Sequence, residues 1–358
     1  MMRKIANFVK KLIKKGRALD YNEWILAFDT LTPKDIKMIA NDIEKDNLKA
    51  KFVIFILETN EKAEDFQNTI NSLKGQLYKR FYVFYGKSKD CLQLIKKKDY
   101  FENYFIILPS GAQLTKHALY WMAKEIKIKE PVLIYSDHDH IDEGRREKPC
   151  FKPNFSMEYL RSTNYVSFAF AVKGSLLTGI DITEEDVEDS YSLLLKITER
   201  LDTLYIEHIP TILFHIPENH SKRKSQLNPV KDHLERMKIK AEVSIIKESY
   251  YRVIYHLKTK PLISIIIPTK DNKQVLKKCL QSIFEKTTYK NYEILIVDNQ
   301  SSEKETVEYL RFLESIDRIR VIRYDKPFNY SAINNLAVNY AKGEVVVFLN
   351  NDTEVITP

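Results

Sequence analysis

The chain reads as α/β: two units built on largely parallel sheets, preceded by a short helical N-terminal segment. Three observations predict this. Short, mostly β-branched apolar runs recur from residue 51 onward, each separated from the next by a helix-like stretch, as parallel strands with crossover helices require. The runs form two sets whose order and flanks correspond. With 44% hydrophobic residues but only 8 glycines and 12 prolines in 358 residues, the composition supports packed cores rather than low complexity.

The elements follow in order. Residues 1–50 are a basic amphipathic helix and a helical lead-in. Within residues 2–15 the apolar positions Met2, Ile5, Phe8, Val9, Leu12 and Ile13 fall on one side of a helical wheel and the cations on the other. Residues 19–48 read as two short helices. Thr32-Pro33-Lys34-Asp35 is a start signal, with Thr32 as N-cap, Pro33 at N1 and Asp35 completing a capping box. Residues 51–250 form the first α/β unit, with strands at Phe52–Leu57, Phe81–Tyr85, Tyr104–Leu108 and Val132–Tyr135. Residues 251–260 bridge to the second unit, 261–358. Its strands are Leu262–Ile267, Tyr292–Val297, Ile319–Ile322 and Glu344–Leu349.

The two units read as a degenerate repeat. KFVIFILETN parallels LISIIIPTKDN, KRFYVFYGKS parallels KNYEILIVDNQS, and NYFIILPSGAQL parallels GEVVVFLNNDTEV. Apolar strands survive in both copies, while the polar residues at their ends change. Asp298 corresponds to about Gly86, and Asn350-Asn351-Asp352 to Pro109-Ser110-Gly111. The sheets are expected to superpose strand for strand through their first four strands.

The net charge of +8 does not indicate nucleic-acid binding. Arg3, Lys4, Lys10, Lys11, Lys14, Lys15 and Arg17, with no acid among residues 1–17, account for nearly all of it. That segment suits an interfacial helix on an anionic membrane as well as a solvated helix docked on its own protein. No apolar run approaches a membrane span, and the opening residues do not read as an h-region with a small-residue cleavage site. Cys91, Cys150 and Cys279 are far apart, without ligand spacing, and read as reduced thiols of a cytoplasmic protein. No GxGxxG follows any strand, which argues against a dinucleotide oxidoreductase.

In open α/β sheets the ligand sits outside the carboxyl ends of the strands. Three strands of the second unit end in polar clusters there: Pro268-Thr269-Lys270-Asp271, Asp298-Asn299-Gln300-Ser301 and Asn350-Asn351-Asp352-Thr353. In this order PTKDN, VDNQSS and FNYSAINNLAVNYAKGEVVVFLNNDTEVITP resemble the nucleotide-sugar-binding half of a family 2 glycosyltransferase with the glycosyltransferase A fold. LIYSDHDHIDEGRREKPCFKPNF and HIPTILFHIPENH resemble tandem-domain bacterial members that build polysaccharides. The resemblance implies two Rossmann-like units, the second incomplete at Pro358 with its catalytic base expected beyond. It implies transfer, with inversion, from a nucleoside-diphosphate sugar, UDP- or dTDP-linked, to a glycan or lipid-linked acceptor. The setting it implies is cytoplasmic, peripheral at the inner face of the plasma membrane. The alternative is a non-catalytic nucleotide-sugar- or glycan-binding scaffold or an inactive fragment.

The resemblance also assigns residues. Asp352 is the expected ligand of a divalent cation, Mg²⁺ or Mn²⁺, whose Lewis acidity would stabilise the departing diphosphate. Asn350 stands where relatives carry the first acid of a DxD. Asp298 is expected to accept a hydrogen bond from the base, with Pro268, Thr269 and Asp271 around it. Asn335, or its neighbour Asn334, approaches the diphosphate. Either aspartate could instead cap the following helix.

In the first unit Tyr135-Ser136-Asp137-His138-Asp139-His140-Ile141-Asp142 carries ligand types suited to a transition metal. If the strand continues, however, Asp137 and Asp139 point opposite to His138 and His140. The segment then reads as a structural loop or a vestigial sugar-site loop. The base position falls near Glu188-Asp189-Ser190-Tyr191, as Asp189 or its replacement Ser190. Lys152 and His215 read as packing or loop residues.

Overall fold

The structure is a computed structural model, and it describes residues 20–58, 63–142, 144–218, 229–247 and 250–357. The helix expected within residues 2–15 lies outside them. The chain divides into two compact units, residues 1–256 and 257–358. Among the described residues no helix is long and apolar enough to cross a membrane.

Two helical stretches occupy the described part of the lead-in. Tyr21–Trp24 runs into a π-turn over Ile25–Asp29, and a helix spans Pro33–Lys45. Thr32 caps the second helix through the predicted reciprocal box: its hydroxyl accepts from the Asp35 N–H, and the Asp35 carboxylate accepts from the Thr32 N–H at 2.9 Å.

In the first unit β1 (Phe52–Leu57) lies between β2 (Phe81–Gly86) and β3 (Tyr104–Pro109), parallel to both. The sheet goes on through β4 (Gln113–Leu114), β5 (Leu133–Asp142), β6 (Arg145–Cys150), β7 (Phe170–Lys173) and β8 (Ile206–Pro217) in the spatial order β2-β1-β3-β7-β5-β8-β4, with β6 on β5. Alternation explains the unbroken apolar runs. Phe52, Ile54 and Ile56 enter one core, while Val53, Phe55 and Leu57 enter the other, so a central strand covered on both faces needs no polar side chain.

The expected linker is shorter than predicted. β9 (Ala241–Lys247) and β10 (Tyr250–Tyr255) form an antiparallel pair within the first unit. YRVIY thus belongs to a strand, whose alternating half-buried residues Tyr251 and Val253 pack on the core.

In the second unit β11 (Ile263–Thr269) lies between β12 (Tyr292–Asp298) and β14 (Val345–Phe348), with β13 (Ile319–Arg323) outside β12 and every pairing parallel. Phe52, Phe81 and Tyr104 are register partners in the first unit, as are Ile263, Tyr292 and Val345 in the second. The three pairs of matched sequences therefore start their ladders at the same residues. Counting along them sets Asp298 opposite Lys87 rather than Gly86, and Asp352 opposite Gly111. Superposition through four strands does not hold, because no described strand of the first unit occupies the place of β13 outside β2. β7 covers the outer edge of β3, whereas its counterpart β14 has no described strand on that side and exposes Val345, Val347 and Phe348.

Candidate functional site

The strand ends of the second unit are tied into one rim by hydrogen bonds. The Asn351 amide donates to Thr269 Oγ1 at 3.0 Å, joining the loop after β14 to the end of β11. The Asp271 N–H donates to Ser301 Oγ at 2.7 Å, and the Ser301 N–H donates to Asp298 Oδ1 at 3.0 Å. Asp271 Oδ1 accepts from the N–H groups of Ser302 at 2.7 Å and Glu303 at 2.9 Å. These backbone donors, Glu303 foremost, hold the Asp271 carboxyl below its ordinary range. Asp271, Asn272 and Gln300 all have left-handed backbones, with φ of 51°, 55° and 61°. Asp and Asn tolerate that region better than most residues, and such conformations collect at functional loops.

The predicted residues divide by what already engages them. Asp298 is fully buried, and its second oxygen is ion-paired with Arg323. Its carboxylate is thus committed to the protein, and a base would meet it only if Arg323 moved. Asp271 Oδ1 instead holds the N–H groups of Ser302 and Glu303, the two residues before the helix Lys304–Leu313, and does not cap its own following helix Lys273–Lys286, whose N-cap Asn272 makes no side-chain cap bond. Thr269 is buried and Pro268 half-buried at the end of β11. Asn350 is exposed, and its carbonyl accepts from Thr353 Oγ1 at 2.7 Å. Asp352 is exposed, and among the described residues no hydrogen bond or ion pair holds its carboxylate. On the helix Tyr330–Val338 it is Asn334 that is buried, its Oδ1 without a partner among the described residues, while Asn335 faces outward.

Sequence reasoning placed Asn299, Ser301 and Asn351 in the strand-end clusters without giving them a role, and it missed Arg323. Asn299 Nδ2 bonds the carbonyls of Tyr324 at 3.1 Å and Lys326 at 2.8 Å, which ties the loop after β12 to the one after β13. The clustering of Asn and Ser after apolar runs placed three of them but not the partners they bond. Nothing in the pattern IRVIR marked Arg323.

In the first unit the described residues at the corresponding strand ends bond one another. Ser110 Oγ donates to the Leu57 carbonyl at 3.1 Å, and the Gly111 N–H donates to Thr69 Oγ1 at 2.9 Å. β5 does continue through the Asp/His segment, so the side chains split as alternation requires. Asp137 Oδ1 accepts from the Lys152 N–H and bonds His208 Nε2, both at 2.9 Å. Asp139, fully buried, takes Tyr21 Oη at 2.5 Å, Arg146 Nε at 2.7 Å and His215 Nδ1. Burial alone would raise its pKa, but His215, Tyr21 and Arg146 together hold it below the ordinary value. His215 and Lys152 are thus structural partners. Burial lowers the Lys152 amine to about 7, and it donates to the Val166 carbonyl at 2.8 Å. At the expected base position Ser190 Oγ accepts from Asn164 at 3.0 Å, and Asp189 caps Tyr191.

Residues 264–357 match the family described as Glycosyl transferase family 2. The second unit therefore carries a segment of that family. Among curated proteins, y4gI of Sinorhizobium fredii is 35% identical over 243 residues, which cover 63% of this chain and 27% of that protein. The O-antigen biosynthesis protein RfbC of Myxococcus xanthus is 34% identical over 261 residues, 68% of this chain and 20% of the relative. The alignments thus span about a quarter of the length of these relatives. Among solved structures, the mannosyltransferase PcManGT of Pyrobaculum calidifontis in complex with GDP-Man and Mn²⁺ is 21% identical, with a TM-score of 0.26, over 28% of this chain and 30% of that one.

Proposed function

We propose that the second unit binds a nucleoside-diphosphate sugar as the donor of a glycosyl transfer, in the assembly of a cell-surface polysaccharide. The observation that carries this reading is Asp352: of the three rim carboxylates it alone is exposed and engaged by no described residue, while Asp271 and Asp298 already hold their loops. The family match over residues 264–357 and the O-antigen role named for the Myxococcus relative support the reaction class.

The donor set fits a hard divalent ion. One free carboxylate flanked by Asn350 and Asn351 offers only oxygen donors from side chains, and Mg²⁺ or Mn²⁺ takes one or two protein carboxylates with phosphate and water completing its shell. Bound there, the ion would neutralise charge on the diphosphate leaving group. The chain's own residues do the positioning. Thr269, held by Asn351, and the Asp271 loop shape the pocket for the base, and Asn334 Oδ1 offers a buried acceptor on the helix Tyr330–Val338. The acceptor hydroxyl, on a glycan or lipid-linked chain, needs a general base for inverting displacement; none of these residues is assigned that role. The basic residues of 1–17 suit attachment to the inner face of the plasma membrane.

Calorimetric titration of UDP and dTDP into the chain, with and without Mn²⁺, tests the reading. Saturable binding that strengthens with Mn²⁺ is expected. Absence of binding by either nucleotide under both conditions overturns it.

A further inference from the structure

The continuation of β5 sends its two histidines to the face away from Asp137 and Asp139, and there they meet a cysteine. His138 and Cys150 are direct cross-strand partners in the antiparallel β5–β6 pair, with the register shifting between His138 and His140. The two imidazoles meet edge to face, with centroids 5.5 Å apart. One donor atom from each of His138, His140 and Cys150 lies within 4.8 Å of the other two.

Two further observations point to a ligand. Nδ1 of His138 and Nδ1 of His140 are both buried and have no hydrogen-bond partner among the described residues. Buried ring nitrogens are rarely left so, and each such case calls for an explanation. His138 is 4% exposed, so bulk water does not supply one. His140 is also held in the sheet from its other side, as the register partner of Ile216 on β8. Burial holds both histidines below their ordinary pKa, His138 strongly so, which keeps them in the neutral form that binds metal. The Cys150 thiol has only a weak internal contact, with the Lys148 carbonyl at 3.6 Å.

We propose that His138, His140 and Cys150 form a transition-metal site, with Zn²⁺ as the best-matched ion, clipping β6 to β5. Two imidazoles and a thiolate are borderline-to-soft donors that disfavour Mg²⁺ and Mn²⁺. Tetrahedral zinc holds N and S donors about 3.3–3.8 Å apart, so side-chain rotation on the order of an ångström closes the set. Three protein donors leave the fourth position to water. Binding releases the thiol proton to solvent. His140 and Cys150 are half-buried rather than sealed, so an ion has a way in. This site is separate in residues and in donor chemistry from the oxygen rim at Asp352.

The test uses the whole chain, reduced, in excess Mg²⁺ so that oxygen sites are filled. Co²⁺ should give a tetrahedral spectrum with a thiolate charge-transfer band, which one equivalent of Zn²⁺ bleaches. Zn²⁺ should also shield Cys150, identified by peptide mass spectrometry, from alkylation. Cys150→Ser and His140→Gln should each weaken Zn²⁺ binding by more than the roughly 10–100-fold that loss of an outer-shell partner costs. The alkylation and cobalt readings need no variant, so a misfolded mutant does not decide the matter. Lack of a thiolate band, alkylation of Cys150 unaffected by Zn²⁺, or unchanged affinity in both folded variants would overturn the assignment.

Discussion

At the residue scale, the carboxylates sort by whether the fold has already consumed them. Asp139 is fully buried among Arg146, His215 and Tyr21. Removing one partner of such a cluster leaves the rest uncompensated, so Asp139→Asn should lower stability by on the order of 3 kcal/mol, read from the denaturant midpoint. The same cluster predicts acid sensitivity. Because the folded pKa of Asp139 is depressed, its stabilisation is complete above the unfolded value of about 3.9 and is lost as pH falls through the folded value. Asp29, on the same arginine, is shifted the other way by burial and opposes part of this. Acid titration by circular dichroism should therefore show the first unit losing stability below about pH 4, with a flatter dependence in Asp139→Asn. An identical acid profile in the two proteins would remove Asp139 from the explanation.

At the element scale, β14 closes on β11 through a contact that only glycine permits. A Cβ at Gly343 would lie 2.6 Å from both the Leu262 carbonyl oxygen and the Ser264 nitrogen. The Gly343 N–H instead donates to Ser264 Oγ at 2.9 Å, and that hydroxyl donates to Glu293. Backbone atoms yield little, so Gly343→Ala should cost about 1–3 kcal/mol, as overpacking does. Because β14 leads into Asp352, nucleotide affinity should fall with it. At the other end of the chain, Thr32→Ala should cost about 1 kcal/mol through loss of its cap, with nucleotide binding unchanged. Thermal melts and nucleotide titration of both variants check the pair.

What the sequence disclosed follows from the range of its rules. Apolar strands buried on both faces were legible because β1 and β3 are continuous apolar runs and β12 departs from one only at Glu293 before its terminal Asp298. The Thr32 cap was legible because its chemistry spans only three residues. β10 was not, because a half-buried edge pair carries a weaker pattern than a central strand. The Asp298–Arg323 pair and the His138–Cys150 pairing join residues distant in sequence, and register across strands, which no local pattern encodes, brings them together. The Asp/His alternation was visible; that the histidines' third partner stood on the next strand was not.

At the scale of the whole molecule, the two sheets share a three-strand parallel ladder and differ at their strand ends. In the first unit Ser110 and Gly111 bond other described residues, and Asp137 and Asp139 are committed to internal pairs. The second unit keeps a carboxylate free at the matching position. Donor binding should therefore respond to changes in the second unit and ignore those in the first. The direct test is titration of UDP with Mn²⁺ into the unaltered chain, Asp352→Asn and Asp139→Asn, each at a temperature where it is folded. Because an amide brings no charge to a hard cation, Asp352→Asn should abolish the Mn²⁺-dependent part of the affinity, and Asp139→Asn should leave it nearly unchanged. Greater loss in Asp139→Asn than in Asp352→Asn would mean that the working site lies in the first unit.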